Sequence, residues 1–329
     1  LLNRKFEIES LLSSICGFNV TFEGFSISDG TDSAGIRLVG IFVISIKWSF
    51  NMSPVKYTLA AATMLAVMTA GSAQAQEIEN KEFDGFYIGG SFGLGAQTND
   101  RNESIIFDTD RNGSFDNNVN TVTGANAFSP GFCNGAAKSN VPNAGCTNDK
   151  DDFDYYVRAG ADKQYGNLVV GFMVDAGRSE STDSVTGFST TPASYTFTRK
   201  LDYAIGARGR IGYTPGGILF YATSGVSYAK IDNSFTTTNG ANSFSDNGKT
   251  ESFGWTGGVG AEAKVTDNIT MGLEYLFTRY NDDDYVVNVG PGTAGATNPF
   301  LLASGGTDMK RSDPDFDLHS IRLTAAFRF

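Results

Sequence analysis

In the stretch "HSIRLTAAFRF" (His319–Phe329), Ile321, Leu323, Ala325, Phe327 and Phe329 share one parity, while Arg322, Thr324, Ala326 and Arg328 take the other. Strict period-two alternation marks a strand with one apolar and one polar face. Soluble domains usually fray into polar residues at their ends. Here the pattern holds to Phe329, which predicts a strand needed in its full length.

Upstream, segments of similar length repeat the pattern from Phe83 onward. "FDGFYIGGSFGLGA" sets Phe86, Ile88, Phe92 and Leu94 against glycines and Ser91. "DFDYYVRAGADKQ" sets Phe153, Tyr155 and Val157 against Asp154, Arg158 and Asp162. "LVVGFMVDAG" sets Val170, Phe172 and Val174 against Gly171 and Asp175, and "LDYAIGARGRIGY" sets Leu201, Tyr203 and Ile205 against Asp202, Arg208 and Arg210. "LFYATSGVSYAK" has no clear parity. "FGWTGGVGAEAKV" opposes Trp255 and Val259 to Glu262 and Lys264, and "ITMGLEYLFTRY" opposes Met271, Leu273 and Tyr275 to Gly272 and Glu274. With the terminal segment these make eight strands.

The connections are asymmetric. "YGN" (165–167), "TPGG" (214–217) and "TDN" (266–268) are tight-turn sequences. Long polar stretches, roughly 98–151, 180–200, 232–252 and 283–317, make the other connections. A water-soluble sandwich has no reason to place every long loop at one end, whereas outer-membrane barrels do. A tilted strand of about 10 residues spans the apolar layer of about 25 Å, and closure removes unpaired backbone groups from lipid. The expected fold is therefore all-β, an eight-stranded antiparallel transmembrane β-barrel. Its apolar parity faces lipid and its polar parity faces inward. Trp255, Tyr203, Tyr213, Tyr275 and Tyr280 lie near strand ends, where amphipathic rings prefer the headgroup level.

Composition agrees with this class. Among 329 residues there are 39 Gly, 13 Tyr and 26 Phe, and the formal charge of −11 excludes the basic face that a nucleic-acid partner requires. Residues 52–76 read "MSPVKYTLAAATMLAVMTAGSAQAQ": Lys56, an apolar stretch and a small-x-small site cleaved between Ala75 and Gln76, the pattern of a secretory signal peptide. The apolar stretch is about 15 residues, short of the roughly 20 that span a bilayer. The expected organisation is 1–51, an upstream extension outside the native protein; 52–75, the signal; 76–82, a short periplasmic N-terminus; and 83–329, the barrel. A membrane helix at Ile36–Phe50 is the competing reading, disfavoured by its length and by Arg37 and Lys47.

The run "GWTGGVGAEAKVTDNITMGLEYLF" (Gly254–Phe277) followed by "HSIRLTAAFRF" resembles the eight-stranded porin-family outer-membrane proteins of alphaproteobacteria, the surface-antigen or opacity-type barrels. "GFYIGGSFG" and "ARGRIGYTPGGILFYATSGVSYA" are similar to that family's first strand and central hairpin. The resemblance implies an outer-membrane location, no catalysis and no cofactor. It also implies that Phe327 and Phe329 form the terminal signal read by the barrel-assembly machinery. Expected partners are outer-membrane lipids, lipopolysaccharide, that machinery, and a host or envelope partner met by the external loops.

Eight strands enclose a lumen just wide enough for side chains to fill. The inward acids Asp154, Asp162, Asp175, Asp202, Glu262 and Glu274 are expected to pair with Arg158, Arg208, Arg210, Lys264, Arg322 and Arg328. That favours a plugged barrel with a role in envelope structure or surface interaction. A small porin is the alternative, and a lipid A-modifying enzyme a distant third. The enzyme reading rests on His319 beside Ser320, near Asp315 and Asp317. Neighbouring strand residues face opposite ways, so adjacency shows little. "GGVGAE" (257–262) has no following helix and fails as a phosphate loop. "NDDDY" (281–285) and "NDKDD" (148–152) read as solvated charge runs more readily than as calcium or magnesium sites. Cys133 and Cys146 favour a disulfide over a metal site, because no further Cys or His is at hand.

Overall fold

The computed structural model describes residues 81–97 and 103–329. The upstream extension, the signal stretch and the Ala75–Gln76 junction lie outside these residues.

Eight strands form the barrel: β1 (Gly85–Ala96), β2 (Asp152–Tyr165), β3 (Leu168–Ser179), β4 (Ala193–Tyr213), β5 (Ile218–Thr237), β6 (Thr250–Lys264), β7 (Ile269–Asn281) and β8 (Asp315–Arg328). Each pairs antiparallel with the next, and β8 returns to β1 from Tyr87↔Arg328 to Ala96↔His319. The chain is a closed antiparallel β-barrel. The last strand is held on both sides to its end: Phe329 N–H donates to the Phe86 carbonyl at 3.0 Å, and Arg328 N–H to the Asn268 carbonyl at 2.7 Å.

The predicted parity is visible in exposure. Phe86, Ile88, Phe92, Val170, Phe172, Leu273, Ile321 and Leu323 stand out from the wall, while Tyr87, Ser91, Val169, Glu274, Ser320 and Arg322 beside them are buried inside it. Hydrocarbon is the solvent that suits such a surface. The undecided strand β5 follows the same rule, with Leu219, Tyr221, Thr223 and Ser227 inward and Ile218, Phe220 and Val226 outward. The three short links are tight turns, and Gly166 at φ 59° supplies the left-handed residue of the first.

Two expectations fail within the strands. Leu201 is buried inside, not lipid-facing, because the β4–β5 ladder slips between Lys230 and Ile231: Lys230 pairs Tyr203 and Ile231 pairs Leu201, leaving Asp202 as an unpaired bulge residue. One extra residue reverses the parity of everything beyond it. Tyr280 also faces inward, where its hydroxyl lies 2.8 Å from Ser227 Oγ, so it is no part of an interfacial belt.

The long connections are folded rather than free. β4 and β5 continue above the barrel as a ribbon paired as far as Tyr195↔Thr237, and Thr182–Ser189 and Gly131–Asn134 widen that sheet. A second sheet orders Ser243–Asp246, Val287–Gly290, Thr307–Arg311 and Ile105–Asp108 side by side. Between the sheets lies an apolar core that includes Phe107, Phe128, Tyr195, Phe197, Val287 and Met309. Its rings are close: Phe107 to Phe128 at 4.5 Å and Phe128 to Tyr195 at 5.2 Å. This external cap draws on all four long connections. Cys133 and Cys146 are joined in a disulfide within it, with Cα atoms 6.3 Å apart.

Glycine inside the barrel makes room for rings. A Cβ at Gly160 would sit 2.5 Å from the Tyr87 ring, and one at Gly260 would sit 2.5 Å from Tyr221. Gly160→Val and Gly260→Val are each expected to lower stability by about 1–3 kcal/mol through overpacking. The urea midpoint of the detergent-refolded protein measures this, with Gly240→Val, whose Cβ meets nothing within 4 Å, as the neutral control.

Candidate functional site

Two places in the molecule concentrate chemistry, the lumen and the seat of the cap. The lumen is layered. At the periplasmic end Phe83, Val169, Leu219 and Tyr221 pack together, and Phe83 N–H donates to Gln164 Oε1 at 2.9 Å. Above them Arg210 bridges Asp162 and Glu262, with Nε 2.8 Å from Asp162 Oδ1 and Nη1 3.0 Å from Glu262 Oε2. Arg328 reaches the same two acids, at 2.8 Å each. Both guanidiniums also lie over the Tyr87 ring, 4.8 Å from its centre. Arg158 is the loosest member, 3.8 Å from Glu262.

Higher up, Arg208 joins Asp175 at 2.7 Å to Glu274 at 3.0 Å, and the Tyr221 hydroxyl donates to Glu274 at 3.0 Å. Arg322 holds Asp154 at 2.8 Å and lies 3.8 Å from the Tyr156 ring centre. A final apolar layer includes Leu201, Ile231, Tyr280, Phe316 and Leu318. A cavity between these layers, beside Arg208, Tyr280 and Arg322, measures about 10 Å³, room for about one water.

The structure thus brings together ten of the twelve expected charges: Asp154, Asp162, Asp175, Glu262 and Glu274 with Arg158, Arg208, Arg210, Arg322 and Arg328, all buried. Two stand apart. Asp202, the bulge residue, turns outward to Lys249 at 2.9 Å. Lys264, the last residue of β6, is half-buried and makes no ion pair among the described residues.

At the external rim His319 is on the lipid-facing side, with Nδ1 2.7 Å from the Tyr275 hydroxyl and its ring 4.9 Å from Phe277. Ser320 is buried on the opposite face, where its Oγ accepts from Arg322 Nη2. Asp315 and Asp317 are taken by Arg279 at 2.8 and 2.6 Å. The three residue types of a hydrolytic triad therefore do not converge. The acidic runs are also divided among partners. Asp282 is buried, not solvated, and accepts from Thr250 and Asn233; Asp283 pairs with Lys310 at 2.7 Å. Asp152 pairs with Lys150, and Asp151 accepts the Gln97 N–H at 3.2 Å.

The seat of the cap holds a second buried cluster. Arg311 donates to Glu103 at 2.6 and 2.7 Å and to Asp183 at 2.9 Å. Arg199 Nε donates to the other side of Asp183 at 2.7 Å. Burial works to raise the Asp183 carboxyl, but Arg311 and Arg199 outweigh it and hold the group below the usual range. Glu103 is pushed up by burial, and Asp149 rises to about 7, through burial first and the neighbouring Asp183 charge second. These residues carry no periodic signal. Only Asp183 and Arg199, equidistant from Thr191 in a hairpin and directly paired, were open to discovery from spacing.

Residues 63–329 match the outer membrane protein beta-barrel domain. The chain belongs to that family. Members similar to it include the 22 kDa outer membrane protein of Rhizobium leguminosarum bv. viciae, 33% identical over 48% of this chain and 67% of the relative. The 25 kDa outer-membrane immunogenic protein of Brucella abortus is 31% identical over 41% of this chain, a match that spans about half of the relative (55%). Among solved structures, the outer membrane protein OprG from Pseudomonas aeruginosa aligns at a TM-score of 0.42 and 12% identity, over 75% of this chain and 97% of that one. This member of the outer membrane beta-barrel family resides in the outer membrane, and the short turns mark its periplasmic end.

Breaking one buried ionic contact strands the charges it held. Glu262→Gln, which leaves Arg158, Arg210 and Arg328 short of an acid, is expected to destabilise the barrel by about 3–5 kcal/mol. Lys264→Gln is expected to leave it within about 0.5 kcal/mol of wild type. Parallel urea titrations in detergent give both values.

Proposed function

We propose that this is a non-enzymatic, non-conducting outer-membrane protein whose barrel anchors a folded cap for contact at the cell surface and for envelope integrity. The observation that carries the reading is the contrast between the two ends of the molecule. The lumen is packed with side chains from Phe83 to Phe316, whereas the long connections converge on an apolar core of their own. A cap that served only to link strands would have no need of such a core, because loops of this length are tolerated unfolded at little entropic cost. Conduction would require breaking the Arg210, Arg328 and Arg208 bridges together, in a space too narrow for hydrated ions. The separation of Ser320 from His319 supports the absence of hydrolytic chemistry at the rim. Lipopolysaccharide around the wall, the assembly machinery acting on Phe327 and Phe329, and a host or envelope partner on the cap complete the proposal.

Two measurements on one preparation test it. In planar bilayers the purified protein is expected to give no steady conductance, and large stable channels would instead establish the porin reading. On intact cells an impermeant amine reagent is expected to label the exposed Lys138 and Lys150 of the cap and to spare Lys163. Labelling of Lys163 alone would place the cap on the wrong side of the membrane and remove the surface role.

A further inference from the structure

The ionic cluster beneath the cap has one member without a counter-charge. Five segments meet there: the stretch before Ile105–Asp108 brings Glu103, residues 146–152 bring Asp149, Thr182–Ser189 brings Asp183, β4 brings Arg199, and Thr307–Arg311 brings Arg311. Asp183 receives both guanidiniums, and Glu103 receives Arg311 through two hydrogen bonds. Asp149 receives neither. Its carboxylate accepts the Ser184 backbone N–H at 2.7 Å beside Asp183, whose charge acts on it more strongly than Arg311 or Glu103, and it takes no hydrogen bond from Arg311. Neighbouring charges are engaged elsewhere: Lys150 with Asp152, Asp151 with the Gln97 N–H, and the Asp315 side chain with Arg279, while Asp313 and Asp315 offer Arg199 only their backbone carbonyls. Three carboxylates thus surround two guanidiniums. The set balances when one acid keeps its proton, and the acid lacking a guanidinium is the one to keep it.

We propose that Asp149 is a protonation-controlled latch. Protonated, it lets residues 146–152 lie against Thr182–Ser189; ionised, it is repelled by Asp183 and Glu103 and loosens the cap at its seat. The contact it governs is narrow. Lys150 N–H donates to the Thr182 carbonyl at 3.1 Å and Thr182 N–H returns the bond at 3.0 Å. The Cys133–Cys146 disulfide ties the same segment to Gly131–Asn134, which also pairs with Thr182–Ser189, so opening is local and the tether persists. The sign follows from linkage. A carboxyl whose folded value lies near 7, against an unfolded value near 3.8, binds more protons in the closed state. Closure is therefore favoured at acid pH, weakens as pH rises from about 4 to 7, and is constant above that. Glu103, also raised, acts in the same direction. The latch concerns how the cap is mounted and holds whatever partner the cap meets.

Amide exchange at Lys150 and Thr182, in the intact protein in nanodiscs and corrected for intrinsic rates, reads the latch directly. Protection at pH 5 is expected to exceed that at pH 8 by up to about a hundredfold. Asp149→Asn is expected to lose most of that difference, with only the Glu103 contribution left, while Asp151→Asn keeps the wild-type dependence. Carboxyl carbon-13 titration of unmutated Asp149 gives an independent reading, with a midpoint near neutrality expected. A midpoint below 5, or undiminished pH dependence in Asp149→Asn, overturns the proposal.

Discussion

Hydrocarbon offers no partner to a backbone N–H, and each one left unpaired there costs several kcal/mol. Every other feature of the barrel follows from meeting that condition with strands. The sheet closes, so β8 returns to β1 and is bonded to its last residue. Closure turns alternate side chains inward, and a lumen of eight strands is too narrow for those groups to remain hydrated. They must satisfy one another, which is why Asp162 and Glu262 each hold both Arg210 and Arg328. The ion pairs that permit folding occupy the lumen itself.

The barrel was legible in the sequence because its cause is local. Period-two alternation records a strand between two solvents, and "YGN", "TPGG" and "TDN" record the turns. Ten of the twelve lumen charges followed from parity alone. Asp202 did not, because a bulge shifts register without any mark in composition, and the same slip moved Leu201 from lipid to lumen. Lys264 carried the right parity but sits at the strand end, half-buried, and pairs with none of the buried acids among the described residues. Tyr280 was misplaced for a different reason: its position near the strand end suggested the interface, although it shares the parity of Glu274 and turns inward to Ser227.

The cap was not legible, and the reason is sequence distance. Arg311 meets Glu103 across 208 positions, and Phe107 belongs to a core that draws on every long connection. Short strands such as Ile105–Asp108 are too brief to show a period, and the Asn, Ser, Thr and Gly that dominate the stretches around them conceal the few apolar residues that form the core. Polar composition described the surface of these connections and not their interior.

A cap built from four connections sharing one interior cannot diversify piecemeal. Substituting Phe300 in one excursion removes packing from Phe128 and Tyr195 in two others, so neutral drift must proceed by compensating sets of changes. Recognition of this surface by antibodies is then expected to depend on the assembled shape, and linear peptides copied from any single excursion will imitate it poorly. Variation is cheapest at exposed apices such as 122–125, and most heavily constrained only a few residues away.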